Sequence, residues 1–373
     1  MPSDVIYFDW NSTAPPAEAV LEATTAAARS VWGNPSSTHG TGRQARAVLE
    51  SARETVARLL EVHRRDVLFT GSATEANNLA LLGASALITS RIEHPSVVRV
   101  AESLQARGVL VEWLPVPSDG RIEVGAVEQA LRQLGEEARG ATVALMAANH
   151  ETGVLQPIAQ VAAVAKEHGA RLHVDAVQLL GKGDLRALQG ADSIAIASHK
   201  VRGPKGIAAL AFRGAPPRPV LLGGAQERGL RPGTLDAAAA AGFEAALLRL
   251  QVIEGRMAEL ERWRERLEAE LAPFAKVNGG LAPRLPHVTN LSFTGWPGPE
   301  LVAALDLHGV RVSSGSACSA GTEQPSAVIE AMLGTERARS AVRFSMGETT
   351  TASQVERVIG LCRSLLEGER SQR

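Results

Sequence analysis

Seven short runs of apolar and β-branched residues alternate with helical stretches between residues 50 and 212. This alternation constrains the fold most strongly, because continuous apolar strands separated by helices are typical of a mainly parallel sheet covered by helices on both faces. The predicted strands are residues 67–70, 86–89, 109–116, 141–148, 171–177, 193–198 and 207–212. Sheets of this kind bind ligands beyond the carboxyl ends of their strands, so we expect the functional residues there.

A second, smaller module follows the predicted sheet. Residues 237–274 are rich in Ala, Leu, Glu and Arg and predict one long helix, closed by Pro273. After it, the pattern predicts a strand at 288–293, a helix at 300–308, a strand at 341–345 and a closing helix from Ala352. We therefore predict a large domain over residues 15–250 and a smaller α+β domain formed by residues 1–14 and 251–373.

The composition excludes several classes of protein. A formal net charge of -1 and only 3% aromatic residues argue against nucleic-acid binding, which needs a basic surface and stacking platforms. No apolar run reaches about 18 residues, so no transmembrane helix is predicted, and residues 1–28 contain no Lys or Arg, unlike a signal peptide. Two cysteines are too few for a disulfide framework or a structural zinc site. We expect a cytoplasmic protein.

Lys200 follows the predicted strand 193–198. Lys and Arg total 39 residues, but only five of them are Lys, so a lysine at the end of an apolar strand is informative. Burial favours the neutral, nucleophilic amine of a lysine, a role that Arg cannot fill. Lys200 is therefore a candidate to form a Schiff base with an aldehyde. The alternative is a lysine that extends its ammonium group to solvent from a strand end.

The segment around Asp175 has features that pyridoxal 5'-phosphate, an aldehyde cofactor with a phosphate, requires. That cofactor needs a carboxylate at its pyridine nitrogen, a phosphate site and a polar group at its phenolic oxygen. Asp175 lies in an apolar strand, where an unpaired carboxylate is costly, and Gln178 follows three residues later. Asp175 is therefore a candidate partner of the pyridine nitrogen, and Gln178 is a candidate partner of the phenolic oxygen. An N-cap or ion-paired aspartate is the alternative.

Residues 69–78 predict a strand, a turn of small residues and the start of a helix. Free N–H groups and the helix dipole at such a point favour a phosphate, so Ala73 and Thr74 are candidate phosphate ligands. Ser198 and His199, beside the lysine, are further candidate donors. Neither a Walker A lysine nor GxGxxG spacing is present, and an ordinary capped helix is the alternative.

Two other predicted strands are followed by polar residues. His94 comes after strand 86–89 and is a candidate to stack on a cofactor ring and to carry protons. Asn149 comes after strand 141–148 and is a candidate hydrogen-bond partner for cofactor or substrate. A structural turn histidine and a turn-forming asparagine are the alternatives.

The second module contains a candidate nucleophile and a candidate clamp. Cys318 is flanked by Ser and Ala in the segment 313–321, whereas structural cysteines sit among apolar partners; this setting favours a nucleophile on a moving loop. Cys362 lies on a predicted helix face and is expected in the core. Arg343 is a charge within a strand and a candidate clamp for a substrate carboxylate, with a buried ion pair as the alternative.

Together, these segments resemble the group I cysteine desulfurases of the class-V aminotransferase family, which are fold-type I pyridoxal-phosphate enzymes. The resemblance extends over nearly the whole chain. Besides the motifs above, it includes residues 7–13, 33–39, 149–157, 223–234 and 343–345. It implies a fold-type I α/β architecture, with a mainly parallel mixed sheet flanked by helices and a smaller α+β domain.

The resemblance also implies the cofactor contacts. Lys200 binds pyridoxal 5'-phosphate covalently, Asp175 pairs with its pyridine nitrogen, and His94 stacks on its ring. Gln178 and Asn149 contact the ring oxygen. The residues implied at the phosphate are Ala73, Thr74, Ser198, His199 and, from the neighbouring subunit of a homodimer, Thr234.

The implied reaction removes sulfur from L-cysteine and gives L-alanine. Asn11, Asn149 and Arg343 hold the substrate, Lys200 moves the α-proton, and His94 carries a proton. Cys318 takes the sulfur as a persulfide for an acceptor protein such as an iron–sulfur scaffold, and it is also a candidate transient ligand of an iron–sulfur cluster. A selenocysteine lyase or another class-V aminotransferase shares such a site, whereas a non-enzymatic scaffold has no need of Lys200.

Overall fold

The computed structural model describes residues 5–315 and 325–370 of the chain. Its strands are β1 (Ile6–Tyr7), β2 (Val67–Thr70), β3 (Ala86–Ser90), β4 (Leu110–Leu114), β5 (Thr142–Met146), β6 (Arg171–Asp175), β7 (Ser193–Ala197), β8 (Ala208–Phe212), β9 (Ala275–Val277), β10 (Val288–Phe293), β11 (Val310–Arg311) and β12 (Ala341–Ser345). Its α-helices are α1 (Glu18–Ser30), α2 (Gly40–Leu59), α3 (Ala73–Leu81), α4 (Pro95–Ala106), α5 (Val124–Leu134), α6 (Ile158–Glu167), α7 (Ala237–Leu247), α8 (Leu250–Glu254), α9 (Met257–Leu271), α10 (Gly298–Leu307), α11 (Ala327–Leu333), α12 (Thr335–Arg339) and α13 (Ala352–Arg370).

The seven predicted strands of the large sheet are all present, in the order β2-β8-β7-β6-β5-β3-β4. β8 runs antiparallel to its neighbours β2 and β7, whereas the pairs from β7 to β4 are all parallel. The prediction of a mainly parallel mixed sheet is confirmed. Every residue of β2, β3, β5 and β8 is buried, as expected for a sheet with both faces covered.

The carboxyl ends of six strands meet at one edge of this sheet, because only β8 runs in the opposite direction. Capping chemistry fixes two of the turns there. Ser72 caps α3 by accepting the N–H of Glu75 at 3.2 Å. The ring of His94 caps α4 by accepting the N–H of Ser96, and Pro95 occupies the first turn. Two helix starts therefore face the edge at which such sheets bind ligands.

The single long helix predicted over residues 237–274 is wrong. This segment contains three helices, α7, α8 and α9, with breaks at residues 248–249 and 255–256. At the breaks, Arg249 Nη2 donates to Glu348 Oε1 at 2.8 Å, and Arg256 Nη2 donates to the carbonyl of Thr350 at 2.9 Å. The sequence favours a helix throughout this segment. Each break in the helix coincides with a hydrogen bond to a residue about a hundred positions later in the chain.

The later part of the chain forms two smaller sheets, β12-β10-β9 and β1-β11. β1, near the start of the chain, pairs in parallel with β11, so that Ile6 lies opposite Val310. One hydrophobic cluster joins β1 to β10, β12 and α13. The larger cluster around the seven-stranded sheet also takes in Leu285, Val288 and Ile329. The division into residues 15–250 and 1–14 plus 251–373 stays a prediction.

Two kinds of structural feature are absent from the described ranges. No helix in residues 5–315 or 325–370 combines the length and apolar character needed to cross a membrane. In the same ranges, no group of three His, Cys, Asp or Glu side chains is placed to hold a metal ion.

Candidate functional site

A cavity of about 210 Å³ opens at the carboxyl edge of the large sheet. Its lining combines the ends of several strands with the N-terminal segment and β12. Nine predicted site residues line it: Asn11, Ala73, Thr74, His94, Asp175, Gln178, His199, Lys200 and Arg343. The structure therefore brings together residues that are spread over the whole sequence.

Lys200 lies in a short 3-10 turn, Ser198–Val201, directly after β7. Its Nζ donates to the backbone carbonyls of Asn11 at 2.6 Å and Ser12 at 2.7 Å. The side chain is half-buried. These contacts hold the amine at the cavity wall, where a positioned nucleophile is needed.

Asp175 is the last residue of β6 and is buried. Asn77 Nδ2 donates to its Oδ2 at 2.8 Å, and the N–H of Val177 donates to its Oδ1 at 3.1 Å. The cavity wall thus carries a buried carboxyl group that is oriented by two donors.

His94 both caps a helix and lines the cavity. Its Nδ1 accepts the N–H of Ser96 at 3.1 Å and lies 2.7 Å from the Ser96 hydroxyl. Its ring contacts the ring of His150 edge-on, with centroids 5.5 Å apart. Burial lowers the pKa of His94; Asp175 opposes this and Lys200 adds to it. The ring is therefore neutral at pH 7.

The predicted phosphate site consists of the N-terminal turn of α3. Ala73 and Thr74 line the cavity there, and N–H groups in the first turn of a helix have no acceptor within the helix, which suits a phosphate. His199 also lines it, with Nδ1 3.1 Å from Thr13 Oγ1, and burial lowers its pKa to about 4. Ser198 instead lies outside this lining, because its hydroxyl packs against Gly203, where a Cβ would be 2.0 Å away.

Asn149 is turned away from the cavity. Its Oδ1 accepts the N–H groups of Glu151 and Thr152, both at 2.9 Å, and its Nδ2 donates to the carbonyl of Ile92 at 3.0 Å. These contacts favour the turn-forming role that the sequence left open. Its contacts with cofactor and substrate stay predictions.

Arg343 extends from β12 to the cavity. Its Nη2 donates to Asp9 Oδ1 and Ser12 Oγ, both at 2.6 Å, and its Nη1 donates to the carbonyl of His150 at 3.0 Å. Arg343 therefore has an ion-pair partner in Asp9, and its role as a clamp for a substrate carboxylate stays a prediction. The pair also orients a guanidinium that lines the cavity, which is what a carboxylate clamp requires.

Asn11 has both ends of its amide engaged. Its Nδ2 donates to the His150 carbonyl at 3.1 Å, and its Oδ1 lies 2.7 Å from His287 Nε2. Burial lowers the pKa of His287 well below the ordinary value. The ring is therefore neutral, and because the amide oxygen only accepts, Nε2 carries the proton.

The sequence analysis missed four residues around the cavity: Asn77, His150, Lys182 and His287. All four are buried. Both ring nitrogens of His150 lack a hydrogen-bond partner among the described residues, and burial lowers its pKa well below the ordinary value. Asn77 lies among the buried positions of α3, but it stands beside Asn78 in the sequence, which has the same side chain. The others have no distinguishing pattern.

Cys318 lies outside the described residues, so its roles as sulfur acceptor and iron–sulfur ligand stay predictions. Ser314 and Pro325, on either side of residues 316–324, line a second cavity of about 380 Å³. His150 lines both cavities. Thr234 is exposed and lies outside the first cavity's lining, and its contact with a neighbouring subunit stays a prediction.

The lining fits pyridoxal 5'-phosphate. A buried carboxylate is oriented at the cavity wall, the N-terminus of α3 with its small residues lines the same cavity, and the carbonyls of Asn11 and Ser12 hold a lysine amine there. This donor set matches the pyridine nitrogen, phosphate and aldehyde of the cofactor. Gln178 also lines the cavity and has an amide for the phenolic oxygen.

The chain is similar to known proteins over nearly its whole length. The family model for aminotransferase class V matches residues 6–358. A protein from Nostoc sp. named cysteine desulfurase is 38% identical over 97% of this chain and 93% of its own length. An Archaeoglobus fulgidus protein named cysteine desulfurase IscS 1 is 36% identical over 98% of both chains. A solved structure described as a NifS-like protein is similar with a TM-score of 0.85 and 31% identity, covering 97% of this chain and 99% of the other.

Proposed function

This chain belongs to the class-V aminotransferase family, and on that premise we propose that it is a pyridoxal-phosphate-dependent cysteine desulfurase. The resemblance found in the sequence is confirmed by relatives of nearly full length that carry this name. One observation carries the proposal. Lys200, Asp175 and Arg343 line a single cavity, and together they supply the amine, the buried carboxylate and the carboxylate clamp that the reaction needs.

Different residues of the cavity lining bind different parts of the cofactor. When bound, pyridoxal 5'-phosphate supplies an aldehyde that condenses with amines and a ring that draws electrons from the α-carbon of the substrate. Asp175 holds a proton at the pyridine nitrogen, while Thr74 and the N-terminus of α3 bind the phosphate. Lys200 provides the amine and then takes the proton from the α-carbon of L-cysteine.

Arg343 and Asn11 bind the carboxylate of L-cysteine. The guanidinium of Arg343 is preoriented by Asp9 and by the carbonyl of His150, and the same carbonyl accepts a hydrogen bond from Asn11. Because Arg343 and Asn11 donate to one oxygen atom, the distance between the two side chains is fixed. His94 carries a proton to the β-carbon: because its pKa is lowered, the ring gives up a proton readily once it has accepted one.

Cys318 collects the sulfur. Its thiolate attacks the sulfur of the substrate, so that a sulfur–sulfur bond forms and the bond between sulfur and the β-carbon breaks. The electron pair stays with the β-carbon, which takes up a proton and becomes the methyl group of L-alanine. The persulfide then passes to an acceptor protein, for which an iron–sulfur scaffold in the cytoplasm is our candidate.

A homodimer is the second part of the proposal. Thr234, the predicted phosphate ligand of the neighbouring subunit, is exposed, and the segment just before residues 223–234 exposes Leu221 by 50% and Leu222 by 93%. Large apolar side chains at this exposure are typical of surfaces that contact another chain. These exposed leucines support a second subunit that covers residues 220–222 and whose phosphate site contacts Thr234.

Two substitutions test the proposed reaction. Lys200→Ala should abolish covalent attachment of pyridoxal 5'-phosphate and all formation of L-alanine, because the amine is lost. Cys318→Ser should still bind the cofactor but form no persulfide. Absorbance spectra, amino-acid analysis and mass spectrometry of intact protein measure these outcomes.

Cys362→Ser is the matched control, since it removes the other cysteine. Cys362 is buried in α13, and burial raises its thiol pKa to about 12, so the variant should form the persulfide at the wild-type rate. Undiminished sulfide release by Cys318→Ser would refute the sulfur relay. Pyruvate as the product, in place of L-alanine, would refute the desulfurase itself.

A further inference from the structure

Asn77 connects two of the predicted cofactor residues through one amide group. It lies inside α3, is fully buried, and takes no part in the cavity lining. Its Nδ2 donates to Asp175 Oδ2 at 2.8 Å and to Ser96 Oγ at 2.8 Å. Its Oδ1 lies 3.0 Å from His173 Nε2. The two hydrogens of the amide thus belong to two branches of one hydrogen-bond network, one that ends at Asp175 and one that continues through Ser96.

The first branch runs from Ser193 to Asp175. Burial lowers the pKa of His173 to about 4, so its ring is neutral at pH 7. The amide oxygen of Asn77 only accepts, which places the ring proton on Nε2. The other nitrogen, Nδ1, then accepts from the Ser193 hydroxyl at 2.8 Å. Every donor in this branch therefore points towards Asp175, and the amide cannot flip without breaking it.

The second branch runs from Asn77 to His94. Ser96 Oγ accepts from Asn77, so its own hydrogen is available for His94 Nδ1 at 2.7 Å. The same Nδ1 also accepts the N–H of Ser96. A nitrogen that accepts twice carries no proton, so the proton of the neutral His94 ring is on Nε2.

We propose that Asn77 is a positioning residue that holds Asp175 as an oriented acceptor and His94 as its Nε2–H tautomer at the same time. The inference rests on the proposed function and deepens it. The hydrogen bond from Asn77 fixes one oxygen of Asp175 and so orients the carboxylate that Asp175 must present to the pyridine nitrogen. As the Nε2–H tautomer, His94 keeps Nδ1 for its hydrogen bonds with Ser96, which leaves Nε2 as the ring nitrogen that exchanges a proton in its role at the β-carbon.

Neighbouring asparagines in α3 provide the test. Asn78 has the same side chain, but its Nδ2 donates to the Thr74 carbonyl within the helix. We expect Asn77→Ala to weaken binding of pyridoxal 5'-phosphate to the apoprotein about tenfold or more, the usual effect of losing a hydrogen bond to a charged group. Asn78→Ala should change it by about twofold or less. Equal dissociation constants for the two variants overturn the inference.

A measurement on the unmodified apoprotein tests the same network without any substitution. Nitrogen-15 NMR of the histidine rings at pH 7 should find His94 and His173 neutral and protonated on Nε2. A proton on Nδ1 of either ring overturns the inference, even if Asn77→Ala fails to fold.

Conservative replacement of His173 separates positioning from simple stability. His173→Gln keeps an N–H donor for Asn77 Oδ1 and should bind the cofactor nearly as the wild type does, whereas His173→Phe should bind it about as weakly as Asn77→Ala. Equal affinities for these two His173 variants count against the network. A wild-type protein that takes up no pyridoxal 5'-phosphate overturns the proposed function and this inference with it.

Discussion

Lys182 is a second lysine near the cavity, and it is buried. Its Nζ donates to Gln178 Oε1 at 3.1 Å, while Gln178 Nε2 donates to the carbonyl of Asn11 at 2.9 Å. Burial lowers the pKa of Lys182 to about 7, with smaller contributions from the charges of Lys200 and Arg343. Lys182 therefore determines how the amide of Gln178 is oriented, at a cost in stability.

We expect Lys182→Met to raise the free energy of unfolding at pH 7 by about 1–4 kcal/mol, because an apolar side chain avoids the burial of an ammonium group. The folded pKa lies below the ordinary value of 10.5, so the unfolded chain binds more protons between the two values. Wild-type stability should therefore rise from about pH 7 to about pH 10, and the variant should lack this contribution. Denaturant unfolding at pH 7 and at about pH 9.5 measures both effects.

Lys166→Met is the control for this prediction, because Lys166 is exposed on α6. It should leave both the stability and its pH dependence unchanged. The same pH dependence in Lys182→Met as in the wild type would contradict a buried, titrating ammonium.

At the residue scale, the sequence predicted several cavity residues from their position directly after a strand. Lys200 and Asp175 could be found in this way, because parallel strands end at a common edge. Asn77 could not be distinguished from Asn78, since the packing of α3 decides which of them faces β6. His287 contacts Asn11 across 276 residues of sequence, and no local spacing encodes that contact. The roles of all these residues stay predictions.

At the scale of secondary-structure elements, a buried ion pair connects α2, β2 and the turn at residues 226–229. Arg53 donates from Nη1 and Nη2 to the two carboxylate oxygens of Glu227, both at 2.7 Å, and Glu227 also accepts the N–H of Phe69 at 3.2 Å. Glu227 and Arg228 have φ values of 48° and 58°, a left-handed conformation that surrounding contacts must enforce. The pair therefore anchors the segment that leads to Thr234.

We expect Arg53→Met to lower the free energy of unfolding by about 3–5 kcal/mol, because it leaves the Glu227 carboxylate buried without its partner. Adding Glu227→Gln should recover part of this loss by removing the charge. Arg65→Met is the control: its ion pair with Asp66 is exposed, so it should cost about 1 kcal/mol or less. Denaturant unfolding measures all three, and equal losses for Arg53→Met and Arg65→Met would rule out the anchoring role.

Strands were more predictable than the long helical segment, for a physical reason. The strands of the large sheet are buried on both faces, so an apolar run between polar turns is a sufficient signal. The breaks between α7, α8 and α9 coincide with contacts of Arg249 and Arg256 to residues 348–350. Helix propensity depends on nearby residues alone and cannot report such contacts.

At the scale of the whole molecule, the homodimer can be tested through its exposed apolar segment. We expect the wild type to sediment at twice the chain mass and Leu222→Asp to sediment as a monomer, because a carboxylate at a covered apolar position is costly. The monomer should also bind pyridoxal 5'-phosphate more weakly, since Thr234 of the partner is lost. Leu281→Asp, at a 96% exposed leucine elsewhere, should remain dimeric. A monomeric wild type would exclude this arrangement.

The pairing of β1 with β11 has a consequence for how the protein is made. The ribosome synthesises Asp9 and Asn11 long before Arg343, the partner of Asp9, which follows 334 positions later. β11 and His287 also follow the strands of the large sheet. A growing chain can assemble most of that sheet, yet its catalytic cavity stays incomplete until residue 343 has been added. Premature termination before residue 343 should therefore leave a polypeptide that cannot clamp an amino acid, whatever else it has folded.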